Sequence, residues 1–370
     1  MNRLYVDVHV LQTVPPSNLN RDDAGSPKQA VFGGVRRARV SSQAWKRATR
    51  KGFADLVGAD ARPLATRTKR LRELLERRFI AAGQDSVTAE SWSGECLEAL
   101  KINQESSKKT TSYLLFLGIE QIDELARQAA ETLVTGGNLD QKAMQAILSK
   151  GHPIDVALFG RMVADVGTLN VDAATQVAHA LSTHAVDIEF DYYTAVDDEN
   201  EAGETGAGMI GTVEFSSATL YRFATVGVHQ LRDNLDMAND IVIDGLRAFL
   251  TSFVTSMPTG HQNSFAHRTR PELVTLVVRD DQPVNLVSAF EDPVIGPGIA
   301  DKSVARLADE LARGARLWGA PPRLVVSTYE ARGETPDQDF TPLGELLPFA
   351  EAVERVLALV RESAEQPARR

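Results

Sequence analysis

A run near the start, Leu4-Tyr5-Val6-Asp7-Val8-His9-Val10, alternates apolar and polar side chains with period two. A strand sends alternate side chains to opposite faces. Leu4, Val6, Val8 and Val10 are therefore expected to line a core, with Tyr5, Asp7 and His9 facing outward. Pro15-Pro16-Ser17-Asn18 is expected to end the strand. Strand-like runs return far downstream, at Ile188 to Tyr193, Thr212 to Phe215, Thr219 to Val228 and Leu273 to Val278. Between them lie helical patterns: roughly Thr66 to Ser149, Ala173 to Ala185, Leu231 to Val254, Val304 to Trp318 and Leu346 to Glu362. Strands drawn from across 370 residues, with helices between them, describe an α+β core carrying appendages. Periodicity does not decide among the two-layer folds that fit.

Charge is distributed unevenly. Asn18 to Lys51 holds nine of the 40 Lys and Arg residues but only two of the 50 Asp and Glu, leaving 31 cations and 48 anions elsewhere. A basic island on an acidic chain points to a located polyanion site. The loop from Asn18 to Gly34 is rich in Asn, Asp, Gly and Ser, so its backbone N–H groups can turn toward phosphate oxygens. Arg36, Arg37 and Arg39 follow at near-alternate spacing. Val40 to about Leu56 then reads as a helix, with Ser41 or Ser42 as its N-cap and Gly52 weakening its far end. Gln43, Lys46, Arg47 and Arg50 fall on one face, opposite Ala44, Trp45, Ala48 and Leu56. Guanidinium forks and amide side chains suit sugar–phosphate contacts that ignore sequence. The competing reading is a solvated helix face neutralised by distant acids.

Composition sets further bounds. The length suggests two or three domains, and 43% hydrophobic residues argues against wholesale disorder. The single cysteine, Cys96, excludes an internal disulfide framework and any multi-Cys metal site. Met1 to Leu11 is interrupted by Asp7 and His9 and does not read as a signal peptide. No run approaches the ~18 apolar residues that span a bilayer. A cytoplasmic protein without membrane partner or cofactor is expected.

Other motifs carry competing readings. Gly206-Ala207-Gly208-Met209-Ile210-Gly211 matches GxGxxG. It follows acidic residues and leads into a strand-like run, whereas a dinucleotide fingerprint opens a helix. It reads as the tip of an arm. His179, His184, Asp187, Glu189, Asp191, Asp197 and Asp198 could include the converging carboxylates of a metal-dependent ribonuclease. Asp187, Glu189 and Asp191 equally describe one face of a solvated strand. Tyr192 and Tyr193, at the base of the arm, could stack on bases, while Tyr221 and Phe223 read as core. Pro258 to Ser264 reads as a polar connection.

Several blocks together resemble the CasC family, the backbone subunit of the type I-E CRISPR surveillance complex Cascade. They are LNRDD (Leu19 to Asp23), AVFGGVRRARVSSQ (Ala30 to Gln43) with KRATRK (Lys46 to Lys51), and DVALFGRM (Asp155 to Met162). AHALSTHAVD (Ala178 to Asp187), TAVDD (Thr194 to Asp198) and EFSSATLYRFA (Glu214 to Ala224) complete the set. The resemblance implies a modified ferredoxin-like (RRM) palm, a helical fingers insertion and a β-hairpin thumb. Residues 1–57, 179–190 and 226–370 would form the palm, 58–178 the fingers and 191–225 the thumb.

It also implies a non-catalytic subunit that polymerises head-to-tail along CRISPR RNA, beside other Cascade subunits, and supports target DNA recognition. Such a protein holds the guide by its backbone and leaves sequence choice to base pairing. Asn20, Arg21, Lys28, Ser41, Gln43, Lys46 and Arg50 match positions expected to grip the RNA, joined by Asn18 and Arg37 of the same stretch. Met162 matches a finger residue that intercalates near a kink. Tyr192, Tyr193 and Thr194 match a thumb-base triplet in which other members carry a Trp-Phe pair. Lys142 and Lys150 sit where the fingers would meet target DNA. The alternative is an endoribonuclease using Asp187, Glu189, Asp191 or Asp197.

Overall fold

A computed structural model describes residues 3–56, 64–105, 109–196, 207–331 and 339–365. The chain opens with β1 (Tyr5–Ser17), the hairpin β2 (Gln29–Phe32) and β3 (Val35–Val40), and helix α1 (Ser42–Leu56). A mostly helical stretch follows: β4 (Ala65–Thr68), α2 (Leu71–Ala81), α3 (Ser86–Leu100), β5 (Gln104–Glu105), β6 (Thr110–Thr111), β7 (Leu115–Gly118), α4 (Ile119–Leu133), α5 (Gln141–Leu148) and α6 (Ile154–Phe159). The chain then returns through β8 (Thr175–Val177), β9 (Ala180–Ser182), β10 (Glu189–Val196) and β11 (Ala207–Gly227). Helices α7 (Val228–Asn234), α8 (Asn239–Thr255) and α9 (Gln262–Phe265) precede β12 (Leu273–Arg279), α10 (Ile299–Trp318), β13 (Leu324–Thr328), β14 (Glu345–Leu346) and α11 (Phe349–Glu365).

Ten strands form one sheet in the order β14-β13-β12-β1-β11-β9-β3-β2, with β8 and β10 also paired to β11. β1 lies between β11 and β12, antiparallel to both. Val6, Val8 and Val10 of β1 face a core shared with Phe249 and Phe253 of α8 and Val356 of α11. The other face is covered as well. Leu11, Tyr221, Phe223 and Val277 pack beneath Val304, Leu307 and Leu311 of α10. Asp7 and His9, expected outside, are therefore fully buried. Alternation separates the two faces of a strand but does not say that one is wet. The Pro15-Pro16 pair does not end β1; the β1–β11 register shifts between Val14 and Ser17, a bulge that absorbs both prolines.

Two helical expectations change. Ala173 to Ala185 holds β8 and β9, which pair with β11, and β9 also pairs with β3. Its alanines mimic a helix, but sheet pairing overrides that propensity. Leu231 to Val254 divides into α7 and α8, because Asp236 and Met237 adopt left-handed φ of 53° and 64°. The stretch from Leu71 to Leu169 has its own core, including Leu75, Phe79, Leu97, Leu125 and Leu148. Among the described residues no helix is long and apolar enough to cross a membrane.

The buried polar layer makes a testable difference. Val284 donates its backbone N–H to Asp7 Oδ2 at 3.0 Å, and His9 Nδ1 lies 2.9 Å from the Tyr221 hydroxyl. Burial pushes the Asp7 carboxyl up to about 6 and pulls the His9 imidazole down to about 3. A carboxyl raised above its ordinary 3.8 takes up a proton in the folded state first, so its contribution to stability grows as pH falls through about 6. Asp7→Asn removes that gain. Relative to wild type, the variant should lose about 2 kcal/mol between pH 7 and pH 4, read by urea unfolding at each pH. A difference that does not vary with pH would show that Asp7 is not held in a dry site.

Candidate nucleic-acid interface

The basic helix is anchored from below and braced at its start. Trp45, Thr49 and Phe53 form its buried stripe. Leu56, expected there, is 43% exposed, and Phe53 takes its place. Gly52 permits a close helix crossing: a Cβ there would lie 2.4 Å from Ser252 Oγ of α8. Ser252 Oγ also donates to Thr49 O at 2.6 Å. At the N-terminus, Ser41 Oγ accepts from the Ala44 N–H at 3.3 Å, and Asn20 Oδ1 accepts from the Ser41 N–H at 2.8 Å. Lys28 N–H donates to Asn20 O and Arg39 N–H to Lys28 O, both at 2.9 Å. Asn20, Lys28 and Ser41 are thus knitted into one corner.

Above that stripe lies the cationic face. Gln43, Arg47 and Lys51 are exposed, and Lys46 and Arg50 are half-buried. Desolvation lowers the pKa of both Lys46 and Arg50; for Arg50, Asp155 acts against it while Arg67 and Arg47 add to it. Among the described residues no carboxylate lies within ion-pair distance of Lys46, Arg47, Arg50 or Lys51. Arg47 and Lys51 also line a cleft of about 460 Å³ with Asp55, Arg268 and the Pro258–Gly260 segment.

Two residues of the stretch do other work. Arg37 is fully buried. Its guanidinium donates to the carbonyls of Phe32 (3.1 Å), Ser182 (3.1 Å), Phe290 (2.8 Å) and Glu291 (3.0 Å). Every guanidinium nitrogen is occupied inside the fold, so the expectation of an RNA contact is corrected to a structural clamp. Asn18 is buried too, and its Nδ2 donates to Gly25 O at 2.9 Å and Glu214 O at 3.1 Å. It ties the loop to β11 rather than facing a ligand.

Pro258 to Ser264 is a loop that turns into α9 at Gln262, and its Pro258–Gly260 part lines the cleft. A Cβ on Gly260 would lie 2.4 Å from Leu19 O, so only glycine lets the two loops touch. His261, held at a left-handed φ of 48°, places Nε2 2.9 Å from Arg21 Nη1. His179 enters from β9's side: its Nδ1 accepts the Ser42 N–H at 3.0 Å. Desolvation, then Arg39 and Lys28, lower its pKa. Sequence spacing brought neither histidine here. His179 stood out only as a candidate metal ligand in a stretch that reads as helix, and His261 only as part of a polar connection.

The arm is a hairpin. β10 pairs with the first part of β11 from Glu189↔Phe215 to Val196↔Ala207, and the rest of β11 pairs with β1. Phe190, Tyr192 and Tyr193 are 68%, 63% and 39% exposed, and Thr194, opposite Ile210, is exposed. The Tyr193 hydroxyl lies over Gly211, where a Cβ would come within 2.4 Å of it. The described part of the GxGxxG match is strand and opens no helix; Gly206 lies outside the described residues. Asp197 and Asp198 lie outside them too. Asp187, Glu189 and Asp191 are exposed, and His184 accepts the Thr219 N–H at 3.1 Å. Among the described residues no three His, Cys, Asp or Glu side chains could hold a metal ion.

On the helical stretch, Met162 is 79% exposed beside the buried Arg161, which donates to Leu169 O and Leu148 O at 2.7 Å. Lys142 and Lys150 are exposed at α5 and just beyond it. Asn20, Lys28 and Ser41 thus form a corner at the start of α1, Arg21 stands by His261, and Gln43, Lys46 and Arg50 lie along the helix face that follows. Met162, the two lysines and the arm lie on other elements.

Residues 6–348 match a family model described as CT1975-like protein. A chain of a solved "CRISPR RNA-guided surveillance complex, pre-nicking" is 32% identical, with a TM-score of 0.85, covering 96% of this chain and 99% of that one. A chain of a second "CRISPR RNA-guided surveillance complex" is 27% identical, with a TM-score of 0.76 and the same coverage. No curated relative matches the chain at a significant level.

Proposed function

Because the chain belongs to the CT1975-like family, the CasC-type backbone subunits of Cascade, we propose that its α1 face holds CRISPR RNA by the sugar–phosphate backbone. The protein is a non-catalytic backbone subunit of a multi-subunit CRISPR RNA-guided surveillance complex. The observation that carries the RNA reading is the run of cations on α1 that, among the described residues, has no carboxylate within ion-pair distance, on a chain that is otherwise acidic. Asn20, Arg21, Lys28, Ser41, Gln43, Lys46 and Arg50 form the grip. Hydrogen bonds to phosphate fix register without reading sequence.

The strand order β12-β1-β11-β9, with α1 and α8 packed together, supports a ferredoxin-like palm. The separate core of the helical stretch supports fingers, and the β10–β11 hairpin supports a thumb. Tyr192, Tyr193 and Thr194 at the thumb, and Met162 on the fingers, are proposed to splay bases. Lys142 and Lys150 are proposed contacts to target DNA. Head-to-tail copies would form an open filament whose length the RNA sets.

Binding to two unrelated single-stranded RNAs of equal length tests this. Affinities should agree within a few-fold, and the mass of the assembly should rise with RNA length. Strong preference for one sequence, or assembly indifferent to RNA, would overturn it. Mg²⁺-dependent cleavage abolished by Asp191→Asn would favour the ribonuclease instead.

A further inference from the structure

Phe116 of β7 stands opposite Arg67 of β4 in the antiparallel register and is 5% exposed. Arg67 Cζ lies 5.8 Å from the ring centroid. A second guanidinium reaches the same ring from a different element: Arg50 Cζ of α1 lies 5.4 Å from it. Two like charges thus share one aromatic surface. Among the described residues neither has a carboxylate within ion-pair distance. The acid that acts on Arg50 is Asp155, fully buried, whose oxygens accept the Ala65 N–H at 3.0 and 3.2 Å and the Val156 N–H at 3.2 Å. Those bonds tie α6 to β4 and leave Asp155 beneath the arginines, inside the fold.

A guanidinium stacked on a ring keeps its N–H edges free for bidentate bonds to an anion. Arg67 is exposed, Arg50 is half-buried, and Arg47 stands on the same cationic helix face. We propose that Arg50 and Arg67, held on Phe116, form a two-guanidinium clamp for one phosphodiester, carrying the nucleic-acid track from α1 onto β4. The clamp rests on the RNA reading above and adds to it a contact from the helical stretch. An ordinary cross-strand cation–π pair would explain Arg67 alone. It does not place a second arginine over the same ring: buried Asp155 attracts Arg50 but makes no ion pair with it, its oxygens being taken by backbone N–H groups.

The test uses the full chain and a short RNA that occupies one protomer. Affinity is measured against salt for wild type, Arg67→Gln, Arg67→Lys and Lys46→Ala. Gln keeps the stem over Phe116 and removes the charge. The expected result for Arg67→Gln is a salt slope shallower by about 0.7, one lost phosphate contact on a single strand. Arg67→Lys should keep the slope and lose affinity about 3–10-fold, because a point charge replaces a fork. An unchanged slope for Arg67→Gln, with a shallower slope for Lys46→Ala, would overturn the clamp and leave the RNA reading standing. Unchanged slopes for both would overturn the RNA reading itself. Normal binding of the short RNA by Arg67→Gln, with impaired assembly on long RNA, would assign Arg67 to a neighbouring copy and also overturn the clamp. Arg67→Lys indistinguishable from wild type would remove the need for a guanidinium.

Discussion

Replacing Lys46 and Arg50 together by alanine should weaken RNA binding by about 10²-fold or more at 0.15 M salt, equally for unrelated sequences. A hydrogen bond to a charged group contributes about 1.5–3 kcal/mol, and about 1.4 kcal/mol is a factor of ten. Both side chains are half-buried, and burial already disfavours their charge, so an arriving phosphate meets cations that water solvates incompletely. The slope of log K against log[salt] should become shallower by about 1.4, at about 0.7 per single-strand contact. The residues sit four apart on one helix face, so the double variant can depart from the sum of the singles. Fluorescence anisotropy with two RNAs at four salt concentrations reads both quantities. Circular dichroism confirms that α1 is retained. A loss confined to one RNA would mean that these cations read sequence. An unchanged slope would remove phosphate from the account.

Much of this site was legible in the chain because charge is a local property. The basic island needed only counting, and a helix from Val40 to about Leu56 followed from its cap and its two faces, close to the Ser42–Leu56 of α1. Which cations reach solvent was not legible. Arg37 and Arg36 are neighbours of equal charge. β3 turns Arg36 outward, to Gln29 Oε1 at 3.2 Å, and Arg37 inward onto four carbonyls. That difference depends on β3 being held between its hairpin partner β2 and β9, whose residues lie well over a hundred positions away.

The same limit explains the strands. The apolar face of β1 was evident, but the burial of Asp7 and His9 depends on α10, almost 300 residues later. The amphipathic pattern of α10 marks it as a packing helix without saying which surface it covers. The strands hidden in Ala173 to Ala185 exist because β11 and β3 offer them edges. Arg67 went unnoticed because nothing in a linear pattern brings β4 and α1 to one phenyl ring.

The largest stability loss is expected from a residue that touches no ligand. Arg222→Ala should cost about 3–5 kcal/mol, comparable to truncating a large core side chain. Arg222 is fully buried on β11, with its Cζ 3.7 Å from the Trp45 ring centroid and 4.7 Å from that of Phe253. Its Nη1 donates to Gln12 Oε1 at 2.6 Å, and Nη2 donates to Phe253 O. Truncation leaves Gln12 and the Phe253 carbonyl without that donor and opens a cavity against both rings. Arg222→Met separates the causes. It refills most of the volume and restores no donor, so it should recover about half the loss. Because Trp45 is the inward anchor of α1, both variants should also loosen the helix that presents Lys46 and Arg50. RNA affinity should therefore fall in the order wild type, Met, Ala, with the salt slope unchanged, since no phosphate contact is removed. Urea unfolding and the salt series together decide the matter. Wild-type stability in Arg222→Ala would mean that the guanidinium between the two rings carries no weight, and a shallower slope would place Arg222 at the phosphate after all.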